Sequence, residues 1–104
     1  MPVNKIEETL LLDYYGDLLT RHQVEILNDY YNEDLSMTEI AENLQISKSA
    51  VQDLIKRSLV QLNNYEKALH LISKDNKLSC ILEEMKNEDN DLLNSYIKKI
   101  EKIK

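Results

Sequence analysis

Apolar positions recur along this chain at steps of three and four, the helical period, and polar clusters interrupt them at intervals. Asn4 is placed to cap a first helix carrying Ile6, Leu10 and Tyr14, and Gly16 to end it in the left-handed conformation. Thr20 and Gln23 have capping-box spacing and open a second helix with Val24, Leu27, Tyr30 and Tyr31. Asn32-Glu33-Asp34 is its polar exit. Ser36 and Glu39 repeat the box ahead of Ile40, Ala41 and Leu44, and Ile46 follows as an apolar plug. Ser47 then precedes a new periodic run, where its hydroxyl caps the next helix. The stripe Val51, Ile55, Leu62, Tyr65 and Leu69 predicts one long helix from about Lys48 to Ile72. Ser73-Lys74-Asp75-Asn76 reads as a break. Two more amphipathic segments follow, Leu78/Ile81/Leu82/Met85 and Leu92/Tyr96/Ile97/Ile100/Ile103, separated by the polar residues 87–91.

A short helix, a tight turn and a second helix entered through a serine make a helix-turn-helix, here at residues 36–57. DNA-binding versions lay the second helix in the major groove. A rotation of 100° per residue puts Ser49, Gln52, Asp53, Lys56, Val60 and Lys67 opposite the apolar stripe, with Arg57 at the edge. The candidate nucleic-acid contacts are therefore Ser47, Lys48, Ser49, Gln52, Lys56 and Arg57. Each has an ordinary alternative. Ser47 caps a helix with or without a ligand. Ser49, Gln52 and Lys56 also suit a plain solvated face. Arg57 suits a phosphate anchor or a bridge between helices. Asp53, central on that face, repels phosphate; it is expected to pair with Lys56 or Arg57, with acceptance from a cytosine amino group as the alternative.

Composition narrows the class. One glycine and one proline in 104 residues leave too few turn formers for an all-β fold. Abundant Leu, Ile, Glu and Lys favour an all-α domain, and the length suits one domain over 1–104 with a C-terminal helical extension at 74–104. Tyr14, Tyr30, Tyr65 and Tyr96 fall on apolar stripes and read as core, whereas Tyr15 and Tyr31 are left open. Cys80 reads as a small buried or half-buried residue; a single cysteine fits a reducing compartment. Met1-Pro2-Val3-Asn4-Lys5 lacks the apolar run of a signal peptide, and no stretch is long enough to span a bilayer, so the expected location is the cytoplasm.

Charge argues against a quick nucleic-acid assignment. The net charge is −6, and residues 1–72 carry all of it, with six basic against twelve acidic side chains. Phosphate binding needs a basic footprint. Within 47–67 the balance reverses, with Lys48, Lys56, Arg57 and Lys67 against Asp53 and Glu66. His22 and His70 have no companions at metal-ligand spacing, one glycine builds no phosphate loop, and no nucleophile sits beside a base. The expectation is a non-enzyme without metal or cofactor.

Residues 20–62 resemble region 4 of the sigma-70-type transcription factors. Thr20-Arg21-His22-Gln23-Val24-Glu25-Ile26-Leu27 matches the first helix of that module, and Leu35-Ser36, Glu39-Ile40-Ala41, Leu44, Ile46-Ser47, Val51 and Arg57 match its helix-turn-helix. A longer resemblance is to the YlxM family. It is carried by Asp13-Tyr14-Tyr15, Leu18-Leu19-Thr20, Tyr30 to Ser36, Ser47 to Arg57, Tyr65-Glu66-Lys67 and Leu69. These small bacterial proteins are proposed to act in the signal recognition particle pathway. The resemblance implies an all-α, sigma-70 region 4-like helix-turn-helix with an extended recognition helix and two additional C-terminal helices. It implies a regulatory protein binding the particle's protein or RNA component; sequence-specific DNA binding is the alternative. Relatives often carry arginine and glutamine where this chain has Lys48 and Ser49, and an aromatic in place of Gln52. Lysine lacks the bidentate fork of arginine. The apolar faces of the long and C-terminal helices exceed what one small domain needs, and a homodimer is one way to cover them.

Overall fold

The computed structural model describes residues 5–103. Six α-helices account for most of them: α1 (Lys5–Tyr15), α2 (Arg21–Tyr31), α3 (Met37–Leu44), α4 (Lys48–Leu69), α5 (Leu71–Asn87) and α6 (Asp91–Ile103). No strand occurs among the described residues. The expected cap at Asn4 lies outside them. The chain divides into two units, Met1–Leu69 and His70–Lys104.

In the first unit the serine and threonine caps set the helix starts. The Gln23 N–H donates to Thr20 Oγ1 at 3.3 Å and the Thr20 N–H to Gln23 Oε1 at 2.9 Å. The Glu39 N–H donates to Ser36 Oγ at 3.1 Å and the Ser36 N–H to Glu39 Oε1 at 3.0 Å. Both are full capping boxes, each worth about 1 kcal/mol of helix stability. The turn of the helix-turn-helix closes at Gln45, whose φ of 57° is left-handed. Its N–H donates to the Glu42 carbonyl, and the Ile46 N–H reaches the Ala41 carbonyl at 3.0 Å. That pair of bonds is a Schellman motif, which satisfies carbonyls that the end of α3 leaves open. Ser47 Oγ then accepts from the Ala50 N–H at 3.0 Å and starts α4.

α4 is the axis of this unit and packs against α1, α2 and α3. It buries Val51, Ile55, Ser58 and Leu62 at steps of four, three and four. Leu11, Leu12, Tyr15, Ile26, Leu27, Tyr31, Ile40 and Ala41 complete the core. Full burial of each Leu or Ile stabilises by about 1.5–3 kcal/mol. Ser58 is fully buried on this stripe, and its oxygen accepts from Gln23 Nε2 at 2.9 Å.

Several expectations are corrected. α1 turns Leu11, Leu12 and Tyr15 inward instead of Ile6, Leu10 and Tyr14; Ile6 is 83% exposed. Two apolar doublets, Leu11-Leu12 and Tyr14-Tyr15, make neighbouring faces of that helix equally apolar. The core tyrosines are Tyr15 and Tyr31, because each finds a carboxylate on a facing helix. The Tyr15 hydroxyl donates to Glu66 of α4, and the Tyr31 hydroxyl donates to Glu8 of α1 at 2.7 Å. A buried phenol needs such a partner. Tyr14, Tyr30 and Tyr65 are only half-buried, and Tyr96 is exposed. Leu44 and Ile46 are also partly exposed, so the small core of the helix-turn-helix rests on Ile40 and Ala41. Gly16 does not use the left-handed region. It is buried in a 3-10 turn, Gly16–Leu18, where a Cβ would stand 3.3 Å from Leu12 Cδ1.

The long helix ends at Leu69, not near Ile72, because His70 takes φ 56°. Histidine is among the few non-glycine residues enriched in that conformation. α5 then runs straight through Ser73–Asn76. Ser73, Asp75 and Asn76 are modest helix formers and Lys74 a good one, and Ile72, Leu78, Leu82 and Met85 keep the apolar beat around them.

In the second unit Asn90 caps α6, its Oδ1 accepting from the Leu93 N–H at 3.1 Å. Leu82 and Ile97 are its buried side chains, and Lys86 pairs with Glu101 at 2.9 Å. Leu92, Tyr96 and Ile103, expected on the packed stripe, are exposed, as is Cys80, which was expected in or near the core.

Candidate nucleic-acid interface

The first two and a half turns of α4 present the predicted face. Its inner stripe, locked by Val51, Ile55 and Ser58, fixes which side chains point out. Lys48, Ser49, Gln52, Asp53, Lys56 and Arg57 are all exposed. Ser49, Gln52, Asp53 and Lys56 form one strip at helical spacing, and rotation along the helix puts Lys48 and Arg57 on its opposite flanks. Ser47 lies at the helix start, where its cap role is realised.

The charges on this strip are partly used internally. Arg57 Nε lies 3.0 Å from Asp53 Oδ2, one turn away on the same helix. Both side chains are well exposed, so the pair adds at most about 1 kcal/mol. Arg57 therefore pairs along its own helix, and among the described residues no ion pair joins it to another helix. The side chains of Lys48, Ser49, Gln52 and Lys56 make no hydrogen bond or ion pair among the described residues. Lys48 sits in the first turn of α4, where the helix dipole disfavours a cation. Its position is thus unhelpful to the helix and available to an anion.

Two hollows border the strip. One of about 520 Å³ lies beside Gln52 and Lys56 and is lined also by Glu8, Tyr30 and Met37. The other, about 510 Å³, lies beside Arg57 and includes Thr20, His22 and Gln61. The sequence alone did not mark Lys5, Glu8, Tyr30 or Met37 as neighbours of the recognition helix. Their proximity comes from the packing of α1, α2 and α3 on α4, and no local motif announces it. At the rim, Lys5 Nζ lies 2.9 Å from Asp34 Oδ1 and 5.0 Å from the centre of the Tyr30 ring. The hydrogen bond to Asp34 raises the Lys5 pKa from its ordinary value, against a smaller opposing effect of desolvation. Burial pushes the Tyr31 phenol well above the usual tyrosine range, and the hydrogen bond to the Glu8 carboxylate adds to it.

Among the described residues no group of three or more His, Cys, Asp or Glu is placed to hold a metal ion. No described helix is long and apolar enough to cross a membrane.

Comparison with known proteins places this architecture. The family model UPF0122, described as helix-turn-helix, YlxM / p13 like, matches residues 3–103. A UPF0122 protein of Clostridium perfringens is 42% identical over 107 aligned positions, covering 96% of each chain. One from Desulforamulus reducens is 46% identical over 87 positions, covering 84% of this chain and 71% of its own. One from Malacoplasma penetrans is 42% identical over 89 positions, covering 86% and 81%. A match across nearly the whole chain, together with the capped helix pair at 36–57, means that this protein belongs to the UPF0122 family of YlxM / p13-like helix-turn-helix proteins.

Proposed function

We propose that this protein is a non-enzymatic, cytoplasmic regulator of the signal recognition particle pathway that binds the particle's RNA through the outer face of α4. The observation behind this reading is the uncommitted strip Lys48, Ser49, Gln52 and Lys56 on a helix held rigidly by its inner stripe. Amide, hydroxyl and ammonium groups at helical spacing suit phosphate and base-edge contacts together. Its one acid, Asp53, is tied to Arg57. Phosphate contacts by Lys48 and Lys56 would make such binding weaken as salt rises, by about one unit of log–log slope per contact. The pathway assignment rests on the resemblance to YlxM proteins.

The test is titration of the full chain with the particle's RNA at about 50 and 200 mM salt. The particle's GTPase and duplex DNA are titrated in parallel. RNA binding that weakens with salt and is reduced in Lys48→Ala and Lys56→Ala supports the reading. Binding to the GTPase alone, or to neither, defeats it.

A second reading is sequence-specific DNA binding, favoured by the order of the helix pair: α4, whose N-terminal half keeps one face exposed, follows a tight three-residue turn. It predicts a preference for one duplex sequence over others, lost in Gln52→Ala.

A further inference from the structure

One stripe of α5 is charged in an order that a helix by itself disfavours. Lys74, Lys77, Ile81, Glu84 and Glu88 follow at steps of three, four, three and four, so they share one side of the helix. All five are exposed, Ile81 at 52%. The lysines stand toward the N-terminal end and the glutamates toward the C-terminal end, the reverse of what the helix dipole favours. Within each half, like charges lie three or four residues apart, which is also mildly unfavourable. The four charged side chains make no hydrogen bond or ion pair among the described residues; Lys86 pairs with Glu83 and Glu101 instead.

The stripe is complementary to itself. Reversing its direction about Ile81 carries Lys74 onto Glu88, and Lys77 to within one residue of Glu84. The half-buried Leu78 and Met85 beside Ile81 exchange places to within one residue as well. Two antiparallel copies of α5 therefore bring four opposite-charge pairs together around an apolar centre. Parallel copies would set lysine against lysine. The rest of the second unit also calls for a partner. His70–Lys104 is shorter than the roughly 40 residues below which a domain usually needs a disulfide, a metal or oligomerisation. The one cysteine makes no disulfide within the chain, and no metal-ligand cluster occurs among the described residues. Leu92 and Tyr96, both exposed, line a hollow with Glu88 and extend the apolar surface past that end of the stripe. Residues 73–104 carry seven basic and seven acidic side chains, so a second copy meets no net repulsion there, unlike at residues 1–72. A phosphate backbone along the stripe would meet Glu84 and Glu88.

We infer that α5 is a dimerisation helix, through which two copies of this chain pair antiparallel about a two-fold axis at Ile81. The contact is isologous, the same patch on both copies. The apolar centre supplies the attraction and the flanking charges set the direction. This pairing does not depend on what α4 binds.

The experiment is sedimentation equilibrium of the full chain between about 1 and 100 μM, the range in which a small interface associates. The wild type is expected to be a dimer at the upper end. Lys74→Glu with Lys77→Glu, and separately Glu84→Lys with Glu88→Lys, turn the four attractive pairs repulsive and weaken the dimer by about a hundredfold. The quadruple variant inverts all four signs, keeps the net charge and restores the dimer. Ile81→Asp is monomeric with the helical circular dichroism of the wild type, because the position is exposed. A wild type that is monomeric throughout overturns the inference. A dimer that both double variants retain puts the interface elsewhere and also overturns it. A quadruple variant that stays monomeric overturns the antiparallel pairing.

Discussion

Arg57 and Asp53 face each other across one turn of α4, with Nε and Oδ2 3.0 Å apart. The pair consumes one of the three cations of the recognition face. It also holds the carboxylate that most opposes phosphate. Asp53→Asn releases the guanidinium and removes a negative charge at once. Affinity for RNA is expected to rise severalfold, and the slope of log affinity against log salt to steepen by about one unit. Stability changes by only about 0.5 kcal/mol, because the pair is exposed. A fall in affinity would instead assign Asp53 a direct contact with a base.

Gln23 joins two jobs that sequence patterns treat separately. Its Oε1 completes the capping box of α2, while its Nε2 donates to the buried Ser58 at 2.9 Å and to Gln61 at 2.6 Å. Gln23→Ala removes the reciprocal half of the box, keeps the Thr20 cap on the backbone N–H of residue 23, and leaves the Ser58 oxygen without this donor. The expected loss is about 1–3 kcal/mol, mostly from the orphaned hydroxyl. Ser58→Ala removes the hydroxyl itself, so the double variant is expected to be more stable than the sum of the two single losses predicts. Urea unfolding of the four proteins measures the coupling, and strict additivity would refute it.

The same residues show what was legible in the sequence. Thr20/Gln23 and Ser36/Glu39 declare their helix starts because a cap is a local interaction, complete within four residues. The helix-turn-helix and the exposed strip follow from those caps and from one apolar stripe. Rotation of α1 was not legible, since Leu11-Leu12 and Tyr14-Tyr15 offer two adjacent apolar faces and only the packed partner selects one. The buried tyrosines depended on Glu66 and Glu8, which lie 51 and 23 residues away in the chain. His70 carried no signal strong enough to outweigh a continuous apolar beat, although one left-handed residue was sufficient to end α4. The cleft beside Gln52 was invisible for the same reason as the tyrosines: four helices build it.

Gln45 holds the turn of the helix-turn-helix at φ 57° and ψ 43°. The left-handed region costs an L-residue about 1–2 kcal/mol, and glycine escapes that strain. Part of the gain is lost because glycine has more freedom in the unfolded chain. Gln45→Gly is therefore expected to stabilise the first unit by up to about 1 kcal/mol, a rise of about 4–8 °C in melting temperature. RNA binding should be unaffected, because the backbone of the turn is unchanged. A lower melting temperature would mean that the Gln45 side chain contributes more than its backbone costs.

Tyr31 gives the fold an alkaline limit. The residue is only 8% exposed, and its hydroxyl donates to Glu8 Oε1 at 2.7 Å. Burial is the larger reason its pKa is raised; the hydrogen bond and the charge of Glu8 add to it. In the unfolded chain the phenol titrates near its ordinary value of about 10. Below that pH both states keep the proton and the stabilisation is fully present. Above it the unfolded chain releases the proton first, so unfolding releases a proton and stability falls as pH rises. The slope from this one group approaches about 1.4 kcal/mol per pH unit while the folded state still holds its proton. Tyr31→Phe removes that slope, and near neutral pH it costs about 1 kcal/mol for the lost hydrogen bond. Melting temperatures taken between about pH 9 and 11.5 should therefore fall faster in the wild type than in the variant. Parallel curves would show that the proton on Tyr31 is held no more firmly in the folded protein than in the unfolded chain.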